Sequence, residues 1–273
     1  MGNGIDISER QFLQSHTPYK SLVGKYNRVL VVGGDEDKCR YVAQSYGFKD
    51  VVMPVDILRQ VGSKIWPFNR YNQEELEKWG RTDLDINKPF DAVLVFCDPR
   101  DMGTDTQIVL DLLLSQNGQL GTRRANHEFS SKPAIPVHFS NNDLLWANNY
   151  SLPRFGQGAF RTMVQALYKE STKYELDCHI IGKPFHYTYQ YADNLLKNWT
   201  KNGKDDLTVY MVGDNPASDI MGANNYGWKS MLVRTGVYRD EDRPNIVATP
   251  DYFFDNVLDA VNYAIDHNKS YII

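Results

Sequence analysis

One stretch, LTVYMVGDNPASDIMGANNYGW from Leu207 to Trp228, constrains this chain more than any other. Its apolar run, Leu207–Val212, suits a buried strand and stops at Gly213. Asp214 and Asp219 follow, and a helical pattern continues to Gly227. The stretch therefore reads as strand, acidic turn, helix. In an open parallel sheet, ligands bind off the carboxyl ends of the strands, which is where Asp214 would sit. A buried strand ending in exposed acids is costly unless something binds there. A hard cation such as Mg²⁺ is the simplest candidate, because it prefers oxygen ligands and keeps several waters.

The rest of the chain alternates between two kinds of pattern. Strands are expected at Arg28–Val32, Lys49–Val55, Asp91–Cys97, Ala134–Phe139, Asp177–Ile181 and Ser230–Arg234. Helices are expected at Asp35–Tyr46, Gln73–Trp79, Thr104–Gln116, Ala159–Lys169, Thr188–Trp199 and Asn256–His267, with a further helix start at Ser8. Residues 56–89 read as an irregular surface excursion. This alternation predicts an α/β protein with a largely parallel sheet. Ser140-Asn141-Asn142-Asp143 follows a strand and reads as a ligand-facing loop, with Asn141 and Asp143 as candidate contacts. A turn-capping role is the competing reading for both. His138, in an apolar strand, reads as a packed core histidine.

Composition narrows the partners. The chain has 273 residues, 42% hydrophobic and 23% charged, which suits one large domain or two smaller ones. A net charge of −4 offers no basic surface for nucleic acid. No apolar run approaches the ~20 residues of a membrane span. Neither nucleic acid nor membrane is therefore expected as a partner. Cys39, Cys97 and Cys178 are odd in number and far apart, which argues against a disulfide framework and for a reducing compartment.

Three motifs stand in order: Gly182-Lys183-Pro184, then Gly213-Asp214-Asn215-Pro216-Ala217-Ser218-Asp219-Ile220, then Thr235-Gly236-Val237. This order resembles the carboxyl half of a haloacid dehalogenase-superfamily phosphatase of class IIA, whose cap domain precedes the lysine motif. GlnSerHisThrProTyrLys at 14–20 and SerAsnAsnAspLeuLeuTrpAlaAsn at 140–148 are similar to the cat-eye-syndrome-critical-region branch of mitochondrial hydrolases. The resemblance implies a Rossmann-like three-layer α/β core from residues 1–88 and 156–273, with an α/β cap at about 89–155 inserted between them. It implies a mitochondrial location, and a homodimer is compatible with it.

The chemistry it implies is Mg²⁺-dependent hydrolysis of a small phosphate ester through a phosphoaspartate. Asp214 would hold the ion, and Asp219 would support the metal shell. Lys183 would place a compact positive charge between nucleophile and phosphate. Asn215 would add a polar side chain, and Asn141 and Asp143 would reach the substrate from the cap loop.

The family's nucleophile lies in an Asp-x-Asp-Gly motif, followed by a Ser/Thr-Asn phosphate grip, and neither is assigned in this sequence. Asp83-Leu84-Asp85 has Ile86 in place of glycine and no strand before it. Asp35-Glu36-Asp37 follows a strand but runs into Lys38 and fits a helix start. The expectation is that Met1 is an internal start, that the core lacks its first two motif-bearing strands, and that this chain alone is inactive. The alternative expectation is a non-catalytic pseudophosphatase or scaffold that binds protein through its cap face.

Overall fold

In RVLVV every residue is apolar or long-stemmed and most are β-branched, a pattern that suits a strand covered on both faces. Arg28–Val32 is buried throughout and forms the first strand of a parallel sheet. The computed structural model describes residues 8, 11–199 and 207–267. Its elements begin with β1 (Arg28–Val32), α1 (Lys38–Tyr46), β2 (Asp50–Val52), α2 (Pro54–Val61), α3 (Gln73–Trp79), β3 (Ala92–Val95) and α4 (Met102–Leu113). They continue with β4 (Val137–Phe139), β5 (Leu145–Trp146), β6 (Arg154–Phe155), α5 (Gln157–Thr172), β7 (His179–Ile180) and α6 (His186–Trp199). The chain then forms β8 (Tyr210–Gly213), a π-turn at Pro216–Ile220, α7 (Met221–Tyr226), β9 (Lys229–Val233), β10 (Tyr252–Phe254) and α8 (Val257–His267).

Five strands make one parallel sheet in the order β2-β1-β3-β4-β7. The pleat divides its side chains into two cores. Leu30, Val32, Val93, Val95 and Phe139 point to one face, where they meet Ile108 and Leu112 of α4 and Phe160 and Val164 of α5. Val29, Val31, Ala92 and Leu94 point to the other, where they meet Cys39 and Ala43 of α1 with Tyr19 and Phe48. The result is a three-layer unit spanning residues 28–180.

This arrangement corrects the division expected at residue 88. β3 and β4, placed by the sequence in a separate cap at 89–155, lie in one sheet with β1 and β2. β3 sits between β1 and β4, its residues Val29↔Ala92 to Val32↔Val95 in register with β1. RVLVV and DAVLVFC are alike as local patterns, and nothing in either specifies its neighbour. A second parallel sheet, in the order β10-β9-β8, belongs to a separate unit that carries the acidic turn. Among the described residues β8 pairs with β9 alone, so its other side is an edge.

Two local readings also change. The strand expected over Lys49–Val55 ends at Val52, because Pro54 occupies the first turn of α2, where its missing N–H costs nothing. The α2 helix is anchored by Asp56, which accepts from the Met53 N–H at 2.7 Å and from both terminal nitrogens of Arg40 at 2.8 Å. The helix expected from Ser8 involves residues 9 and 10, outside the described set, and Thr17–Leu22 forms a 3₁₀ turn. The short β5–β6 hairpin had no counterpart in the sequence reading. It exposes Leu144, Trp146, Tyr150, Leu152 and Phe155.

Candidate functional site

Strand β8 ends at Gly213, and the chain turns directly into Asp214. One carboxylate oxygen of Asp214, Oδ2, accepts the Val237 N–H at 2.6 Å, and the Asp214 carbonyl accepts the Tyr238 N–H at 3.1 Å. These bonds tie the acidic turn to the Thr235-Gly236-Val237 segment after β9. Asn215 uses its side-chain oxygen as a cap, accepting the Ala217 N–H at 3.0 Å. This is the local bonding that favours Asn at turn and helix starts.

Asp219 lies on the π-turn and is 3% exposed. Both of its oxygens are engaged. Oδ1 accepts from Lys183 Nζ at 2.5 Å, and Oδ2 accepts the Asn215 N–H at 3.1 Å. Asp219 is therefore the joint between the lysine loop and the acidic turn. π-turns break the regular helix ladder and recur at functional sites.

Lys183 is also close to Asp143 and Asp214. Burial works against its ammonium, but the Asp219 carboxylate, with help from Asp143 and Asp214, outweighs burial and raises the pKa. Asp143 moves the other way for a carboxylate. Burial pushes its pKa up, opposed mainly by the Lys183 ammonium, while Asp219 and Asp214 add to the rise. Burial and neighbouring charge are the two causes that shift such groups at working sites.

The loop that brings Asp143 here is held from below. Gln157, at the start of α5, is buried and accepts the Asn141 N–H at 2.9 Å. Asn141 in turn accepts the Asp143 N–H at 2.8 Å. A cavity of about 360 Å³ is lined by Asn141, Asp143 and Lys183 together with Tyr189, Met211 and Trp228. A second cavity of about 410 Å³ lies on the far side of Asp143, against Asn215, Ser218 and Arg161.

The structure thus brings Asn141, Asp143, Lys183, Asp214, Asn215 and Asp219 into one neighbourhood. Asp83 and Asp85 lie elsewhere. Asp83 pairs with Arg81 at 2.9 Å, and both acids border a surface hollow shared with Arg28. Tyr189 was not singled out in the sequence. Its hydroxyl donates to the carbonyls of Ser218 at 3.1 Å and Asp219 at 3.3 Å, so α6 holds the π-turn directly. Its only sequence signal was a place on an amphipathic helix.

The donor set was weighed against a divalent cation. No group of three or more His, Cys, Asp or Glu side chains forms a metal shell among the described residues. Asp214 Oδ1 makes no protein hydrogen bond there, and Asp143 is near. This fits a hard ion held by one or two carboxylates with water and substrate oxygens, as Mg²⁺ usually is, rather than an all-protein cage.

A family model described as HAD-hydrolase-like matches residues 180–260, from the lysine loop to α8. The chain is 45% identical over 284 residues to the mitochondrial hydrolase YKR070W of Saccharomyces cerevisiae, covering 96% of this chain and 79% of that protein. It is 41% identical over 266 residues to a cardiolipin synthase (CMP-forming)/mitochondrial hydrolase fusion protein of Schizosaccharomyces pombe, covering 96% of this chain and 43% of that one. Both relatives are named as mitochondrial hydrolases, in agreement with the location implied by the resemblance. The crystal structure of the hypothetical protein PH1952 from Pyrococcus horikoshii OT3 has the same fold. Its TM-score is 0.58 at 20% identity, over 96% of this chain and 78% of that chain. No helix among the described residues is long and apolar enough to cross a membrane. The chain belongs to the haloacid dehalogenase-like hydrolases, in the family of these mitochondrial hydrolases.

Proposed function

We propose that this chain carries the lysine-and-metal half of a Mg²⁺-dependent phosphatase site for a small phosphate ester. One observation carries the reading: Lys183 meets Asp219 at 2.5 Å within the field of Asp143 and Asp214, at the carboxyl end of β8. Bound there, Mg²⁺ would offset the negative charge that gathers in phosphoryl transfer. Asp214 would hold it. Asp219 keeps the Lys183 ammonium and the Asn215 amide in fixed positions, and Lys183 attracts the phosphate. Asn141 and Asp143 would meet the substrate from the 140–143 loop, where the raised pKa of Asp143 suits it to hold a proton. Residues 28–180 would serve as the cap over this site, and the mitochondrion is its proposed place of action.

The half-site reading has a sharp consequence. The sequence contains no Asp-x-Asp-Gly, so the purified chain should not turn over p-nitrophenyl phosphate in Mg²⁺. It should still bind Mg²⁺ in calorimetry, and Asp214→Asn should abolish that binding. Absence of Mg²⁺ binding by the parent chain would remove the metal from the proposal. Robust turnover that disappears in Asp214→Asn would overturn the idea that the nucleophile is missing.

A second reading, a non-catalytic scaffold, is favoured by the β5–β6 hairpin. Its exposed Trp146, Tyr150 and Phe155 are the residue types that anchor protein interfaces. Mg²⁺ binding that depends on Asp214 separates the two readings, because a scaffold has no use for it.

A further inference from the structure

On the opposite side of the lysine loop lies a second cleft that the phosphatase reading does not use. It has a volume of about 500 Å³ and opens between the 3₁₀ turn Thr17–Leu22, the edge strand β7 and the first turn of α6. That size is within the range of small-molecule sites. Lys25 and His179 face it, and no aspartate or glutamate lines it. In a chain of net charge −4, a cleft with a lysine and an imidazole and no carboxylate is a local inversion of sign.

Neither group forms an ion pair with a carboxylate among the described residues. Lys25 Nζ lies 5.3 Å from the Tyr26 ring centroid and has no carboxylate partner. The His179 ring stacks on His138, with centroids 4.5 Å apart and planes 21° off parallel. His138 itself is 3% exposed; its Nε2 meets the Tyr26 hydroxyl at 3.0 Å, and its Nδ1 is buried with no partner. Burial first, and then the charges of His179 and Lys25, push the His138 pKa down to about 3, so the three groups share one field.

The floor adds donors. Ser21 Oγ and the Tyr187 hydroxyl meet at 2.7 Å across the cleft. Tyr187 belongs to the first turn of α6, a helix of 14 residues. Phe185, Leu22 and Ile181 supply apolar wall.

We propose that this cleft binds a small organic oxyanion, a phosphate or carboxylate carried on a ring-sized apolar body. Lys25, His179 and the Ser21–Tyr187 hydroxyl pair would meet the oxyanion, and the Phe185 wall would cover the body. The site does not depend on the phosphatase reading. Lys183, Thr188 and Tyr189 line the other cavity, and Phe185 and Tyr187 line this one.

The test is calorimetric titration of the whole chain with phenyl phosphate and with benzoate, in a chelator that strips divalent ions. Phenol provides the ring without the charge. Both anions should bind and phenol should not. Lys25→Ala should weaken binding about tenfold, the loss of one charged contact, and His179→Ala should weaken it in the same direction. Benzoate binding should survive Lys183→Ala, because only the phosphate ester has a place at the lysine loop. Lys25 is exposed, so its replacement leaves the core intact, and an unchanged melting curve checks this. The proposal fails if benzoate does not bind, if phenol binds equally well, if Lys25→Ala binds benzoate like the parent, or if Lys183→Ala abolishes benzoate binding.

Discussion

Lys183 and Asp219 stand 36 residues apart in sequence and 2.5 Å apart in space. The contact joins the loop after β7 in one sheet to the turn after β8 in the other. Both residues fall within the stretch that the family model matches. Asp219 also takes the Asn215 N–H, so one carboxylate sets both the lysine and the backbone of the acidic turn.

Removing that charge should be readable at the lysine. With Asp219 present, the carboxylates outweigh burial and the Lys183 pKa is raised. In Asp219→Asn the largest favourable contribution is gone while burial stays, so the Lys183 pKa should fall. A lysine side-chain NMR titration measures it. An unchanged value would mean that Asp219 does not control the ammonium.

Tyr189 is a positioning residue rather than a group that meets substrate. Tyr189→Phe keeps its ring contacts with Tyr226 and Trp228 and removes the hydroxyl that serves Ser218 and Asp219. The expected loss is about 1–2 kcal/mol of stability. It should come with weaker Mg²⁺ binding by the parent site, which a purely structural loss in α6 would not produce. Chemical denaturation and calorimetry read the two effects separately.

Gly236 is closed to any side chain in two ways. Its φ is +109°, and a Cβ there would lie 2.0 Å from Asp214 Oδ2. Gly236→Ala should cost about 2 kcal/mol or more, the combined strain of backbone and contact. Adding Asp214→Ala should return part of that loss. A double-mutant cycle measures the coupling, and strict additivity would mean that the two residues do not press on each other.

Acid should destabilise the five-stranded unit through its buried histidines. Burial lowers the His16 pKa to about 4, and burial with His179 and Lys25 lowers that of His138 to about 3. The unfolded chain takes up these protons near pH 6.5, before the folded one does. Stability is therefore full above pH 6.5 and falls as the pH drops toward 4 and 3. The slope is about 1.4 kcal/mol per pH unit for each histidine. His138→Phe should flatten the slope between pH 6.5 and pH 4 whatever it does to stability at pH 7. Denaturant midpoints over that range decide the matter.

The acidic turn was legible because its information is local. A strand, Gly213, acids one and six residues on, and a helix all lie within one window. Lys183 was legible only through its Gly and Pro neighbours. The sheet order was not legible: β1 and β3 have the same kind of sequence, and their pairing joins residues more than sixty positions apart. Pro54 misled the local reading, since a proline that closes a strand and one that opens a helix look alike until α2 is seen to follow. Tyr189, Gln157 and the His138–His179 stack act through long-range contacts, and none of them has a sequence signature of its own.

The two glycines beside the acids also bear on how the site would be lost. A Cβ at Gly213 would lie 2.4 Å from Asp219 Oδ2, as one at Gly236 would crowd Asp214. Each acid thus holds its glycine in place, and the restraint at Gly213 acts through that contact with no left-handed backbone requirement beside it. A lineage that abandoned the chemistry would first lose an acid, while Gly213 would stay fixed, because the Asp219 Cβ crowds it at 2.4 Å as closely as the carboxylate does. Loss of either acid beside an intact glycine is therefore the earliest mark of retirement to seek among related chains. In this one, both glycines and both acids are still present together.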